Sequence, residues 1–75
     1  MSETVTVDVR GLKCPLPALK AEKRLASLAK GTRLRLVTTD PMATVDVPHF
    51  CRQNGHRLCL TEREGNVTTF EIEKA

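Results

Sequence analysis

VTVDVRGLKCPLPALKAEKRLASLAKG, residues 5–31, is the stretch whose periodicity sets the architecture. Val5, Val7 and Val9 alternate with Thr6, Asp8 and Arg10, the period of a strand buried on one side. Gly11 breaks the alternation. From Pro15 to about Lys30 the spacing becomes helical, with Ala18, Ala21, Leu25 and Leu28 on one apolar stripe. Lys20, Lys23 and Arg24 fall on other faces, and Gly31 stands where a helix C-cap is expected. A strand leading into a helix with one apolar stripe is the first half of a β-α-β unit.

Reading onward, Arg33 to Thr38 alternates again, with Leu34 and Leu36 inward and Arg33 and Arg35 outward. Asp40-Pro41 is a turn signal. A second helix is expected over roughly Thr44–Asn54, with Asp46 as its N-cap and Pro48 in its first turn. Val47, Phe50 and Cys51 form its buried side, and Gly55 ends it. Arg57 to Arg63 reads as a strand with Leu58 and Leu60 inward, and Gly65-Asn66 as a hairpin turn. Val67 to Glu73 returns with Phe70 and Ile72 inward. The order β-α-β-α-β-β predicts an α/β (α+β) two-layer sandwich. Its mixed four-stranded sheet carries both helices on one face, since right-handed crossovers set them side by side. Glu62, Arg63, Glu71 and Glu73 are expected to guard the sheet edges with charge.

The 75 residues make a single domain, 1–75, with no room for a second core. So small a core argues against a deep cofactor cavity. Any activity is expected at the surface, in one or two residues. With no Trp or Tyr and two Phe, the chain lacks the aromatics on which RNA-recognition modules stack bases. Net charge is +3, unevenly placed: residues 1–37 carry eight Lys/Arg against three Asp/Glu, and residues 38–75 four against six. A basic first half suits an acidic partner surface or nucleic acid, and equally a solvated helix face. Met1 to Val5 has no basic stretch followed by an apolar run, and nowhere do about 18 apolar residues run together. A cytoplasmic location is expected. Three cysteines do not suit a disulfide framework, so reduced thiols are expected.

Cys14 is the residue that invites chemistry. It lies where a loop enters a helix, with Pro15 pre-set for the first helical position and Pro17 also lacking an N–H. The amides of Leu16 and Ala18 are expected to face its sulfur. The positive end of the helix and the adjacent Lys13 should then favour the thiolate. No second cysteine follows at Cys-x-x-Cys spacing, so dithiol exchange is not indicated. A lone exposed thiolate suits one-sulfur chemistry. A capping or packing role for Cys14 stays open.

Cys14-Pro15-Leu16-Pro17 after Gly11-Leu12-Lys13, with Asp40-Pro41 and then Asp46-Val47-Pro48-His49-Phe50-Cys51, resembles the TusA/SirA/YedF family of sulfur carrier proteins from Val5 to Ile72. The resemblance implies a sulfur carrier or sulfurtransferase that works only with partner proteins. Its catalytic residue is Cys14, which holds a covalent persulfide, with no other cofactor. A cysteine desulfurase or other sulfane donor loads it, and an acceptor protein takes the sulfur onward, in tRNA thiolation or another trafficking route. Lys13, Pro15 and Pro17 are the supporting residues, and Leu16, Lys20, Lys23 and Arg24 the candidate partner contacts. In tRNA-thiolation members Glu often stands between the prolines, where this chain has Leu16.

His49-x-Cys51 and His56-x-x-Cys59 hint at zinc. However, helical residues two apart point about 200° apart, and zinc wants four convergent ligands. No metal site is expected. Cys51 reads as a small buried hydrophobe, Cys59 as a residue of the open sheet face, and His56 as a helix-end residue tolerating charge there. The alternative to a carrier is a non-catalytic RNA-binding or regulatory module using the basic first half, with no membrane contact. A small redox or metal-binding protein is a third reading.

Overall fold

The two alternating segments and the closing hairpin form four strands, and the two striped segments form helices. The computed structural model describes residues 3–75. In chain order the elements are β1 (Thr4–Asp8), α1 (Leu16–Ala26), β2 (Arg33–Thr38), α2 (Ala43–Asn54), β3 (Arg57–Glu64) and β4 (Val67–Glu73). The sheet order is β1-β2-β4-β3. β1 and β2 are parallel, and β4 runs antiparallel to both β2 and β3. β3 is therefore parallel to β2, with β4 threaded between them. Both crossovers step across the sheet in the same direction. A right-handed path sends each helix over the same face.

That face holds the core. Leu34 and Leu36 of β2 and Phe70 and Ile72 of β4 are buried beneath Ala21 and Leu25 of α1 and Ala43, Val47, Phe50 and Cys51 of α2. Val5, Val7, Ala18, Leu28 and Leu58 pack at its margin. The opposite face is open. There Glu71 is the acidic centre of a cross-strand group, 3.0 Å from Arg35 and 3.6 Å from Arg33. The expected two-layer mixed sandwich is the observed one.

Four expectations are corrected. α1 ends at Ala26, short of Lys30. The Ser27 hydroxyl donates to the Arg24 carbonyl at 2.7 Å, and the Leu28 amide turns back to Leu25, so local hydrogen bonding replaces the helical ladder. Gly31, at φ 88°, instead belongs to the turn into β2. α2 begins at Ala43, one residue earlier than expected. This moves Asp46 inside its first turn and Pro48 into the helix body. In β3 the register shifts between Leu58, opposite Ile72, and Leu60, opposite Glu71. Cys59 is the extra residue of this bulge. Leu60 therefore turns to the open face beside Glu71 instead of inward. Finally, β4 lies inside the sheet, so Glu71 and Glu73 guard no edge, whereas Glu62 and Arg63 are on edge strand β3.

His56 also departs from expectation. Its Nδ1 accepts the Ala75 amide at 3.0 Å, and its ring meets Phe50 edge-on at 5.9 Å. Burial, reinforced by the Lys74 charge and opposed by Glu22, holds it below the usual histidine value, so the neutral ring is favoured. Between that lowered folded value and the unfolded value near 6.5, the unfolded chain binds the extra proton. The stability owed to neutral His56 is therefore complete above the unfolded value and lost as pH falls through the folded one. Urea melts should show a midpoint that drops on acidification from about pH 7 to about pH 5, and His56→Gln should flatten that drop.

Candidate functional site

After β1 the chain is pinned in three ways. The Arg10 guanidinium grips both carboxylate oxygens of Asp8, at 2.9 and 2.8 Å, and the Arg10 amide donates to the same group at 3.0 Å. These bonds hold the Asp8 carboxyl down at about 2. Gly11 takes φ 84°, a region open to glycine. Its amide donates 3.0 Å to Thr39 Oγ1, tying the loop before α1 to the loop before α2. The Leu12 amide donates back to the Val9 carbonyl at 3.1 Å.

Cys14 comes next, exposed, joined to Pro15 by a cis peptide. α1 starts one residue later than expected. Pro15 occupies the N-cap, Leu16 is the first helical residue, and buried Pro17 is the second. The Leu16 amide donates to the Lys13 carbonyl at 2.9 Å. It is not free to face the Cys14 sulfur as the sequence suggested.

The opposite wall is the entry to α2. The Asp40 amide donates to buried Thr38 Oγ1, and Asp40 Oδ1 accepts the Met42 amide at 3.2 Å, closing an Asx turn. Asp40 Oδ2 is shut off from solvent with no hydrogen-bond partner among the described residues. The Asp46 amide donates to the Met42 carbonyl at 2.9 Å, fixing Asp46 in the first turn. From there Asp46 Oδ2 accepts the Cys14 thiol hydrogen bond at 2.6 Å, across 32 residues of chain.

This contact overturns the expected thiolate. The bond to Asp46, partial desolvation and the charges of Asp46 and Asp40 together push the Cys14 thiol up to about 11. Two carboxylates facing the sulfur outweigh the end of one helix whose first amide is already engaged. Sequence reasoning took Asp46 for an N-cap and missed it as a site residue. The pair Asp40 and Asp46 near a Cys-Pro-x-Pro segment was the available signal, but only the folded chain brings them together.

Lys13, Cys14, Thr39, Asp40 and Pro41 line one shallow cleft. Around it Leu16, Leu19, Met42 and Val45 remain 45–60% exposed, an apolar set at the starts of both helices. Lys20, Lys23 and Arg24 are not in this cleft. They line a separate depression with Val7 and Ser27, where α1 overhangs β1.

The other cysteines are placed differently. Cys51 is buried and its thiol is pushed up to about 11 by burial alone. Cys59, half-buried in the bulge, points its thiol toward the Arg57 carbonyl at 3.7 Å. His49 is exposed while Cys51 is buried, so the helix separates them. Among the described residues, those whose donor atoms do converge, within 4.8 Å, are Cys14, Asp40 and Asp46. None of the histidines of the two His-Cys spacings is among them, and Cys14 and Asp46 are joined by the thiol hydrogen bond.

A family model described as sulfurtransferase TusA matches residues 5–74. The chain belongs to the TusA family. Sulfur carrier protein TusA of Allochromatium vinosum is 38% identical over 69 residues, covering 92% of this chain and 91% of that protein. A Neisseria meningitidis serogroup A protein, whose name proposes a sulfur carrier, is 44% identical over 68 residues, covering 91% of this chain and 92% of its own. The crystal structure of a SirA-like protein from Desulfitobacterium hafniense has the same fold. It superposes with a TM-score of 0.81 over 92% of this chain and 95% of that one, at 23% identity.

Burial separates Cys14 from Cys51, and alkylation reads the difference. Prolonged alkylation of the native protein with excess iodoacetamide at about pH 9, where a thiol pushed up to about 11 is about one-hundredth thiolate, followed by peptide mapping, should slowly label Cys14 and leave Cys51 unmodified. Adding denaturant should expose Cys51 to full labelling.

Proposed function

We propose that the protein is a sulfur carrier that accepts a sulfane sulfur on Cys14 from a cysteine desulfurase or another sulfane donor and relays it to an acceptor protein. The observation that carries this reading is the position of Cys14. It is the exposed thiol of the three, in a cleft at the Cys14-Pro15-Leu16-Pro17 segment, with accessible apolar side chains at the starts of both helices. The cargo is covalent sulfur, and no resident cofactor is invoked. Lys13 brings a cation to the cleft, while Pro15 and Pro17 shape the start of α1. Leu16 offers apolar contact to a docking partner. Thiolation of tRNA is one destination for the sulfur. A cytoplasmic setting fits reduced thiols, and among the described residues no helix is long and apolar enough to cross a membrane.

The test is intact-protein mass spectrometry after incubation with a desulfurase and cysteine. Wild type should gain one sulfur atom in a reductant-sensitive way. Cys14→Ser should lose that gain, while Cys51→Ser and Cys59→Ser keep it. Sulfur still gained by Cys14→Ser would refute the assignment.

The basic depression supplies a second expectation. Lys20, Lys23 and Arg24 are clustered and exposed, and such a patch steers an acidic partner chiefly through the rate of encounter. The double change Lys20→Glu, Lys23→Glu should slow loading by the desulfurase about tenfold or more at low salt, and the difference should shrink as salt screens it. Equal loading rates at low salt would remove this face from docking.

A further inference from the structure

We propose that Asp46 is a positioning residue that holds Cys14 as a protonated, unreactive thiol in the free carrier, and that this restraint is lifted when a sulfur donor brings positive charge to the Asp46–Asp40 pair. The inference rests on the carrier reading above and deepens it.

Asp46 is half-buried and anchored in the first turn of α2, and its Oδ2 takes the Cys14 hydrogen bond directly. Asp40 adds a second carboxylate within 4.8 Å, one oxygen of which is buried without a partner among the described residues. The charged groups that act on the sulfur are therefore Asp46 from α2 and Asp40 from the β2–α2 turn, while Lys13 from the loop before α1 lines the same cleft. Two negative charges hold the proton on the thiol. A thiol titrating at about 11 leaves only about one molecule in ten thousand as thiolate at pH 7. Alkylating and oxidising reagents attack thiolates, so the resting carrier is shielded from the irreversible steps of cysteine oxidation.

Loading requires the proton to leave. Cys14 Sγ attacks the outer sulfur of a donor persulfide, R–S–SH. A new S–S bond forms at Cys14 and the donor's S–S bond breaks, its electron pair leaving on R–S⁻. The proton crosses from Cys14 to Asp46 and passes on to R–S⁻, giving Cys14–S–SH and R–SH with no external oxidant or reductant. A donor cation beside Asp46 and Asp40 weakens their hold on the thiol proton and favours the attacking thiolate. The site thus selects donors that present Lys or Arg to this cleft over neutral small-molecule persulfides.

The test titrates Cys14 by thiolate ultraviolet absorbance in a Cys51→Ala, Cys59→Ala background. With Asp46 intact the midpoint should lie well above 9. With Asp46→Asn added it should fall toward the ordinary cysteine value, and Asp46→Glu should keep it raised. A fall of about two units gives about a hundredfold more thiolate at pH 7. Each thiolate is then a weaker nucleophile, by a Brønsted slope of about 0.4–0.5, so iodoacetamide alkylation should speed up by about tenfold. A midpoint at or below 9 with Asp46 intact overturns the proposal without recourse to any variant. A midpoint unchanged or raised by Asp46→Asn overturns it equally. Neither measurement uses a sulfur donor, so failure here is distinct from failure of Cys14→Ser to abolish loading.

Discussion

Parallel alignment of three strands is the constraint from which the site follows. β1, β2 and β3 run the same way, each helix returns over the same face, and α1 and α2 therefore begin at the same edge of the sheet. Loops leaving the carboxyl ends of β1 and β2 are neighbours before any side chain is chosen. Open α/β sheets place their functional groups at this edge for the same reason. The Gly11 amide on Thr39 Oγ1 draws those two loops together, and the thiol of the first meets the Asp46 carboxylate in the first turn of α2. The core beneath, Leu34, Leu36, Phe70 and Ile72 against two helical stripes, fixes the helix axes and with them the spacing across the cleft.

What the sequence disclosed and what it withheld divide along physical lines. Strands and stripes were legible because burial imposes periods of two and about 3.6, and Leu34, Leu36, Ala21 and Leu25 obey them. Cys14 was legible because two prolines and a loop-to-helix junction mark it locally. Asp46 was not, because a carboxylate at the start of a helix looks the same whether it caps an amide or accepts a proton from a distant thiol. The sign of the electrostatics at Cys14 was lost with it. Helix end and Lys13 are read from neighbours in sequence, whereas the opposing charges arrive through tertiary contact. The end of α1 was missed for a local reason, since the Ser27 hydroxyl breaks the helical ladder before the apolar spacing ends. The inward placement of Leu60 failed because Leu-Cys-Leu alternates regularly in sequence, and a bulge leaves no mark in an alternating pattern.

Two surfaces distinct in chemistry meet the solvent on α1. One is the apolar rim at its start, Leu16 and Leu19, continued by Met42 and Val45 around α2. The other is the basic side over β1, formed by Lys20, Lys23 and Arg24. The cleft at the thiol holds Lys13, Asp40 and Asp46 inside this apolar rim, and the basic side of α1 lies apart from it. Desolvation close in and steering from a distance act on different parts of an encounter, so a change in one surface leaves the other at work.

The bulge at Cys59 divides β3 into two stretches of opposite parity. Before it, even-numbered Leu58 faces the helices, and after it the odd-numbered Thr61, level with Phe70, does so. The outer part of the hairpin thus has its own inside and outside, set by one residue and independent of the strand root. Ironing out the bulge, with Cys59 taking the place opposite Glu71, would turn Leu60 inward and every later side chain of β3 with it, while β4 stayed in place. The hairpin tip is in effect a separately indexed module, able to drift in sequence on its solvent side without disturbing the face that supports the two helices.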